Sequence, residues 1–378
     1  MPGRNAFLLC ILVSALLMAA VAVAQDLAAL RKAAEQQATG EVAKLRDLGT
    51  FPMSKVLRLA VEQGSIRVRS DLPATSGQVR LSIEGMPGVT TAVVRDGGTA
   101  GQFLQLSHKR FDVQDAIVVQ ITLHKSAGQT SIIANWQFSN NSSRQVSLTQ
   151  RDPGAFGGQI PPTFHILAYG VNNGMHAGQT NVQAENLAAL VREYPGEVEL
   201  YVRPVLRMLQ SEHVLAVDGD LALQVFGGTW TANAGTAKRV GELVAALEAE
   251  SHLERDKAAR QLAELGQEGA LALMHVDRAG LTPQQKAIIE SVLAPRQRVT
   301  PREAMRLAGD ANFLLDCLYS QDTRIRGSAM KALERLLGRS AGIDADAELE
   351  VRAAAIDALR RQLTAGTTRA AGGSGGAD

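Results

Sequence analysis

Ser328-Ala-Met-Lys331 has the S-x-x-K spacing, in which one helical turn sets a lysine amine beside a serine hydroxyl. An amine so placed can take the hydroxyl proton and free a nucleophile for acyl transfer. The same residues lie within an apolar helical pattern, Ile325, Ala329, Ala332, Leu333 and Leu336, and fall off its stripe. They read better as polar positions on a packed helix. Asp344-Ala-Asp346-Ala-Glu348 spaces three carboxylates like the opening of a calcium loop, but Leu349 occupies the sixth position, where such a loop turns on glycine. These acids read as solvated charges that favour a following helix start. Asp218-Gly-Asp220 reads as a turn in preference to a weak cation site.

The remaining chemistry-bearing residues form no recognised pattern. The histidines are His108, His124, His165, His176, His213, His252 and His275, and no two stand three or four apart as a helical metal pair would. There is no H-E-x-x-H, phosphate-binding loop, dinucleotide fingerprint or G-x-S-x-G elbow. Cys317, in Phe313-Leu-Leu-Asp-Cys317-Leu-Tyr, is expected to be a buried core thiol. No catalytic, metal-binding or cofactor-binding residue is assigned, and no cofactor is expected. One polar gathering without a motif, His165, Tyr169, Asn172, Asn173 and His176, marks residues 150–180 as the place where a secreted hydrolase would carry its site. Trp136 and Phe138 share one face of a strand pattern; they read as core, and as a sugar-stacking platform only if exposed.

The elements that must position these residues fall into two halves. Residues 1–24 read as an export signal: Arg4, then an apolar run from Phe7 to Met18, then Val21-Ala22-Val23-Ala24 before Gln25. The rival reading is an uncleaved anchor, the one route to a membrane that the sequence offers. A lipid on Cys10 is not expected, because Leu9 precedes it and the apolar run continues past it. Residues 25–54 form an N-terminal helical segment, with apolar positions near one face over 26–48. Across 55–180 the period falls to two, as in Val79, Leu81 and Ile83 or Ile117, Val119, Ile121 and Leu123. About seven or eight short strands parted by turn signals predict an antiparallel β-sandwich or an open barrel.

From residue 181 to 363 the period returns to that of helices. Pro204 inside one run implies a kink or a helix start. Asp322-Thr-Arg-Ile325-Arg326-Gly-Ser-Ala329-Met-Lys-Ala332-Leu333 recurs as Glu348-Leu-Glu-Val351-Arg352-Ala-Ala-Ala355-Ile-Asp-Ala358-Leu359. Partial copies centre on Arg255 and Lys286, the first followed by Leu265-Gly266-Gln-Glu-Gly269-Ala270. These copies resemble HEAT repeats, and the resemblance covers about residues 250–363. It implies an α-helical solenoid in which each pair of helices hides its stripe against the next. It also implies that Asp322, Arg326 and Arg352 are structural bonds between turns of the stack and not a ligand clamp. The fold class expected is α+β, a β-rich domain followed by a HEAT-like solenoid. Residues 364–378, with Gly372-Gly373-Ser-Gly-Gly376, read as a flexible tail.

Charge excludes one class of partner. Apart from Arg4, the chain carries 38 basic and 38 acidic residues. That balance offers no long footprint for a phosphate backbone, so nucleic acid is not expected. With aromatics at 4%, deep stacking clefts are not expected either. The favoured reading is an exported, periplasmic or secreted, non-enzymatic scaffold that binds a protein partner. The alternatives are a carbohydrate or cell-surface binding module in the β-half, and the secreted hydrolase named above.

Overall fold

The period-two runs pair in the order in which they occur. The computed structural model describes residues 27–62, 64–95, 102–113, 116–126, 128–151, 163–172 and 175–372, without the side chains of 175–177 and 364–372. The segment read as an export signal, Asn173, the His176 side chain and the last residues of the segment read as tail lie outside the described residues. No described helix is long and apolar enough to cross a membrane. The chain is α+β and divides into two compact units, residues 1–214 and 215–378.

In the first unit, β1 (Asp47–Phe51), β4 (Val79–Ile83), β5 (Met86–Arg95), β6 (Phe103–Arg110), β7 (Ala116–Ser126), β8 (Gln129–Phe138), β9 (Ser143–Arg151), β10 (Thr163–Asn172) and β11 (Met175–Ala184) form one nine-stranded sheet in that order. Every pairing is antiparallel except that of β1 with β4. The expected sandwich or open barrel takes the form of this single open sheet, with a separate hairpin of β2 (Arg58–Glu62) and β3 (Ser65–Arg69). Register aligns Val79, Ala92, Leu106, Leu123, Ile132, Leu148, Ile166 and Val182 in one transverse row. That row lies on the apolar face, where all but Val182 are buried. One residue along, the row Thr91, Ser107, Thr122, Ile133, Ser147, Leu167 and Asn181 lies on the opposite, polar face.

Gln150 projects from β9 onto the apolar face and is 3% exposed. Its amide oxygen accepts from Ile66 N at 2.5 Å and its amide nitrogen donates to Ile66 O at 3.1 Å, which ties the hairpin to the sheet. The helix over residues 27–42 (α1) ends earlier than its apolar spacing predicts, and a single helical turn, α2 (Met53–Val56), follows β1. Asp47–Phe51, expected to continue the helical segment, instead pairs with β4, where a ladder satisfies backbone groups that a frayed helix end would leave open. Gly49, at φ +97°, takes the register shift between Asp47 and Thr50 within β1. Arg31 of α1 donates to the carbonyls of Ala116 and Val113, and Lys109 on β6 meets Glu41 at 3.3 Å.

Residues 185–214 carry helical periods but belong to the sheet's unit, so the division falls beyond the expected boundary near 180. β11 itself runs to Ala184. Then come α3 (Leu187–Glu193), which packs on β11, α4 (Pro195–Glu197), a π-turn at Val198–Val202, which packs on β9 and β10, and α5 (Arg203–Met208). Leu190, Val202, Val205 and Leu206 are all fully buried. The π-turn has a local cause. Pro204 has no N–H to give to the Leu200 carbonyl four residues back. Arg144 of β9 donates to that oxygen at 2.7 Å instead, with its guanidinium stacked 5.2 Å from Tyr201 and 5.4 Å from Trp136.

His108 also faces the apolar side, 1% exposed, with Nδ1 2.8 Å from the Thr90 hydroxyl. Burial, then the charge of Arg110, lowers its pKa from 6.5 to about 4. The unfolded imidazole takes up its proton near pH 6.5 and the folded one only near pH 4, so stability falls as pH drops through that window. The total is on the order of 3 kcal/mol, and no such slope exists above pH 7. Urea unfolding at pH 7 and pH 4.5 should show the loss in the native chain and a much smaller one in His108→Leu. An equal loss in both would mean that His108 is not the group responsible.

The second unit is helical: α6 (Gly219–Phe226), α7 (Ala234–Ala246), α8 (His252–Glu264), α9 (Gly266–Met274), α10 (Pro283–Leu293), α11 (Pro301–Leu307), α12 (Ala311–Cys317), α13 (Thr323–Leu337) and α14 (Leu349–Gly372). Capping follows the sequence closely. Asn233, Asp310 and Asp322 accept from the first N–H groups of α7, α12 and α13, and Thr282 and Thr300 close capping boxes before Pro283 and Pro301. Gly338 at φ +65° ends α13 in the left-handed conformation. The last helix continues to Gly372, into the segment read as tail.

Two cores fill this unit. One gathers Val240, Leu243, Ala258, Leu262 and Ile289 from α7, α8 and α10. The other gathers Phe226, Leu314, Ile325, Leu333 and Ile356 from α6, α12, α13 and α14. Helix α9 serves both, giving Ala270 and Leu271 to the second and Ala272 and Leu273 to the first. Successive helices pack as neighbours, α7 on α8 and α12 on α13, yet α6 also meets α9, α11 and α13. Leu336, read as part of the α13 stripe, is 49% exposed at the end of that helix.

Candidate binding surfaces

Arg326 and Arg352 sit at equivalent places in their helices and both are buried. Arg326, one turn into α13, donates to the carbonyls of Ala345, Ser320 and Gln321 and to the Asp346 carboxylate at 3.2 Å. Arg352, one turn into α14, donates to Leu318 O at 2.8 Å and Ala347 O at 2.5 Å, with Ser320 O at 3.5 Å. Each guanidinium thus gathers carbonyls of the loops that flank α13 and α14. Burial, then the nearby Arg326 charge, draws the Arg352 pKa below the ordinary guanidinium value. Asp322 caps α13 through Arg324 N at 2.8 Å and pairs with the Arg324 side chain. Arg324 also pairs with Glu268 and lies 5.4 Å over the Trp230 ring.

The other chemistry-bearing residues take structural partners. Ser328 accepts a hydrogen bond from Trp230 Nε1 at 2.7 Å, while Lys331 is exposed, and among the described residues no bond joins the two. Ser328→Ala should therefore cost about 1 kcal/mol by stranding a half-covered indole N–H, with no loss of fold. Thermal melting followed by tryptophan emission reads this directly. Asp218 and Asp220 face Arg298 and Arg296, the closest contact being 2.8 Å. Among the described residues no group of three His, Cys, Asp or Glu side chains is placed to hold a metal ion. Cys317 is fully buried, and burial pushes its thiol pKa well up, away from the reactive thiolate. His165 donates from Nε2 to the Asn181 side chain at 2.5 Å across the β10–β11 pair, not to a carboxylate. Trp136 is half-buried, with Arg144 over one face of its ring.

A feature that sequence reasoning passed over lies on the polar sheet face beneath α1. Thr91, Ser107 and Thr122 align across β5, β6 and β7, with Gln105 and Gln120 on the adjoining rows. With Gln78 they form one wall of a cavity of about 310 Å³. Ala38, Val42 and Leu45, from α1 and the turn after it, form the facing wall. The signal was present in the alternate residues of each strand, but hydroxyls and amides at period two also describe an ordinary wet face. Comparison of the chain with family models, with curated proteins and with solved structures returns no match.

Proposed function

We propose that this chain is an exported, non-enzymatic binding protein whose helical unit is a HEAT-like scaffold for a protein partner. The observation that carries the reading is the division of labour on the helices. The recurrent arginines are committed inward to loop carbonyls, while large apolar side chains stand in solvent: Leu253 at 77%, Met305 at 73% and Val351 at 63% exposed. Each lies on a different helix, α8, α11 and α14. Apolar side chains exposed singly are ordinary on a protein surface, so the reading requires these three to serve as separate anchors for one partner, of the kind that contribute most of the affinity in docking.

The experiment uses the full chain with photo-crosslinkers at the exposed neighbouring positions Glu254 and Glu350 in the native host. The expected result is one recurrent protein crosslinked in the exported fraction and released by Leu253→Ser with Val351→Ser. Chain found only inside the cell, or crosslinks unchanged by those substitutions, would overturn the reading.

A further inference from the structure

The cavity between α1 and the polar sheet face has two unlike walls, and the difference defines its ligand. The sheet wall is rich in hydrogen-bonding groups, with Val89 and Lys109 at its side. Gln78 donates to the Thr91 hydroxyl at 3.0 Å and Gln120 to the Ser107 hydroxyl at 3.1 Å. Those bonds leave the two amide oxygens without a partner among the described residues. Gln105 and Thr122 likewise have no side-chain partner among the described residues. The opposite wall is aliphatic at Ala38, Val42 and Leu45 and also carries Glu41. Both charges of the lining, Lys109 and Glu41, neutralise each other at 3.3 Å.

The geometry points to a binding site for a neutral sugar, a single pyranose or a disaccharide end, held between α1 and strands β5–β7. A pyranose carries hydroxyls around its edge and a face of C–H groups, which matches amides and hydroxyls on one side and methyls on the other. Amide side chains suit hydroxyl ligands because each can accept and donate at once. A volume of about 310 Å³ lies at the lower end of the range for small-molecule sites. An anionic ligand gains nothing here, since the one lysine is already paired. A fatty chain would strand the sheet's polar groups without partners. The site sits on the first unit and does not depend on the protein partner proposed for the second.

The test is two-dimensional amide NMR of the full chain, titrated with glucose, galactose, N-acetylglucosamine and their disaccharides, and with glucuronate, phosphate and decanoate as contrasts. At least one neutral sugar should saturate, with shifts mapping to Gln105, Ser107, Gln120 and Thr122. The double variant Thr122→Val with Gln105→Leu should bind that sugar about tenfold or more weakly at unchanged melting temperature. The mapping on the native chain keeps the proposal testable if that variant fails to fold. Shifts that map elsewhere, no saturation by any neutral sugar, affinity retained in a folded double variant, or tighter binding of glucuronate or decanoate would each overturn it.

Discussion

Leu333→Asp is expected to unfold the helical unit at neutral pH. Leu333 has no exposed surface and packs with Ile325, Ala329 and Ile356 in the core shared by α12, α13 and α14. Loss of the leucine side chain alone costs about 2–5 kcal/mol. The new carboxylate must also lose its water or stay protonated, which adds several kcal/mol more. That sum matches the whole stability of a typical domain, about 5–15 kcal/mol. Hydrogen exchange should show protection lost across residues 215–363 in the variant, while Leu333→Met, which keeps the volume, costs under about 1.5 kcal/mol. A folded, protected Leu333→Asp unit would mean that this helix does not hold the core together.

Arg352→Lys should be nearly as damaging as Arg352→Leu, at about 2–4 kcal/mol each. The reason is geometric. The Arg352 guanidinium reaches Leu318 O from one nitrogen and Ala347 O from another, spanning two loops at once. A lysine ammonium carries the same charge but is a single point and cannot fork. Removing the fork leaves buried carbonyls without donors, which costs about 1–3 kcal/mol per group. Urea unfolding of the three proteins decides the matter. Full stability in Arg352→Lys would show that charge, and not the fork, is what the loops require.

Local signals in the sequence transferred well. The alternation of Val79, Leu81 and Ile83 does mark a strand with one buried face, and the stripe of Ile325, Ala329 and Leu333 does mark a helix with one buried face. The recurrence of Arg326 and Arg352 located two buried side chains. Nothing local told which carbonyls they reach, because Leu318 and Ser320 belong to the preceding loop. Residues 185–214 show the limit most plainly. A helical period says that a segment is a helix with an apolar side, and not which core that side meets; Val202 and Leu206 meet the sheet's unit. Parallel pairing of β1 with β4 was illegible for a related reason, since five residues carry too little pattern to outweigh an apolar spacing that also fits a helix. The polar cavity went unread because its residues come from separate strands, and only register brings Thr91, Ser107 and Thr122 into line.

Helix α9 gives consecutive pairs of residues, Ala270-Leu271 and Ala272-Leu273, to opposite cores. Neither half of the helical unit can then loosen without dragging the wall of the other. Heat or urea should dismantle both in one step, with a single midpoint reported by probes at Trp230 and on α10. The coupling runs chiefly through these nine residues, with Ala232 and Leu293 also packed against both cores.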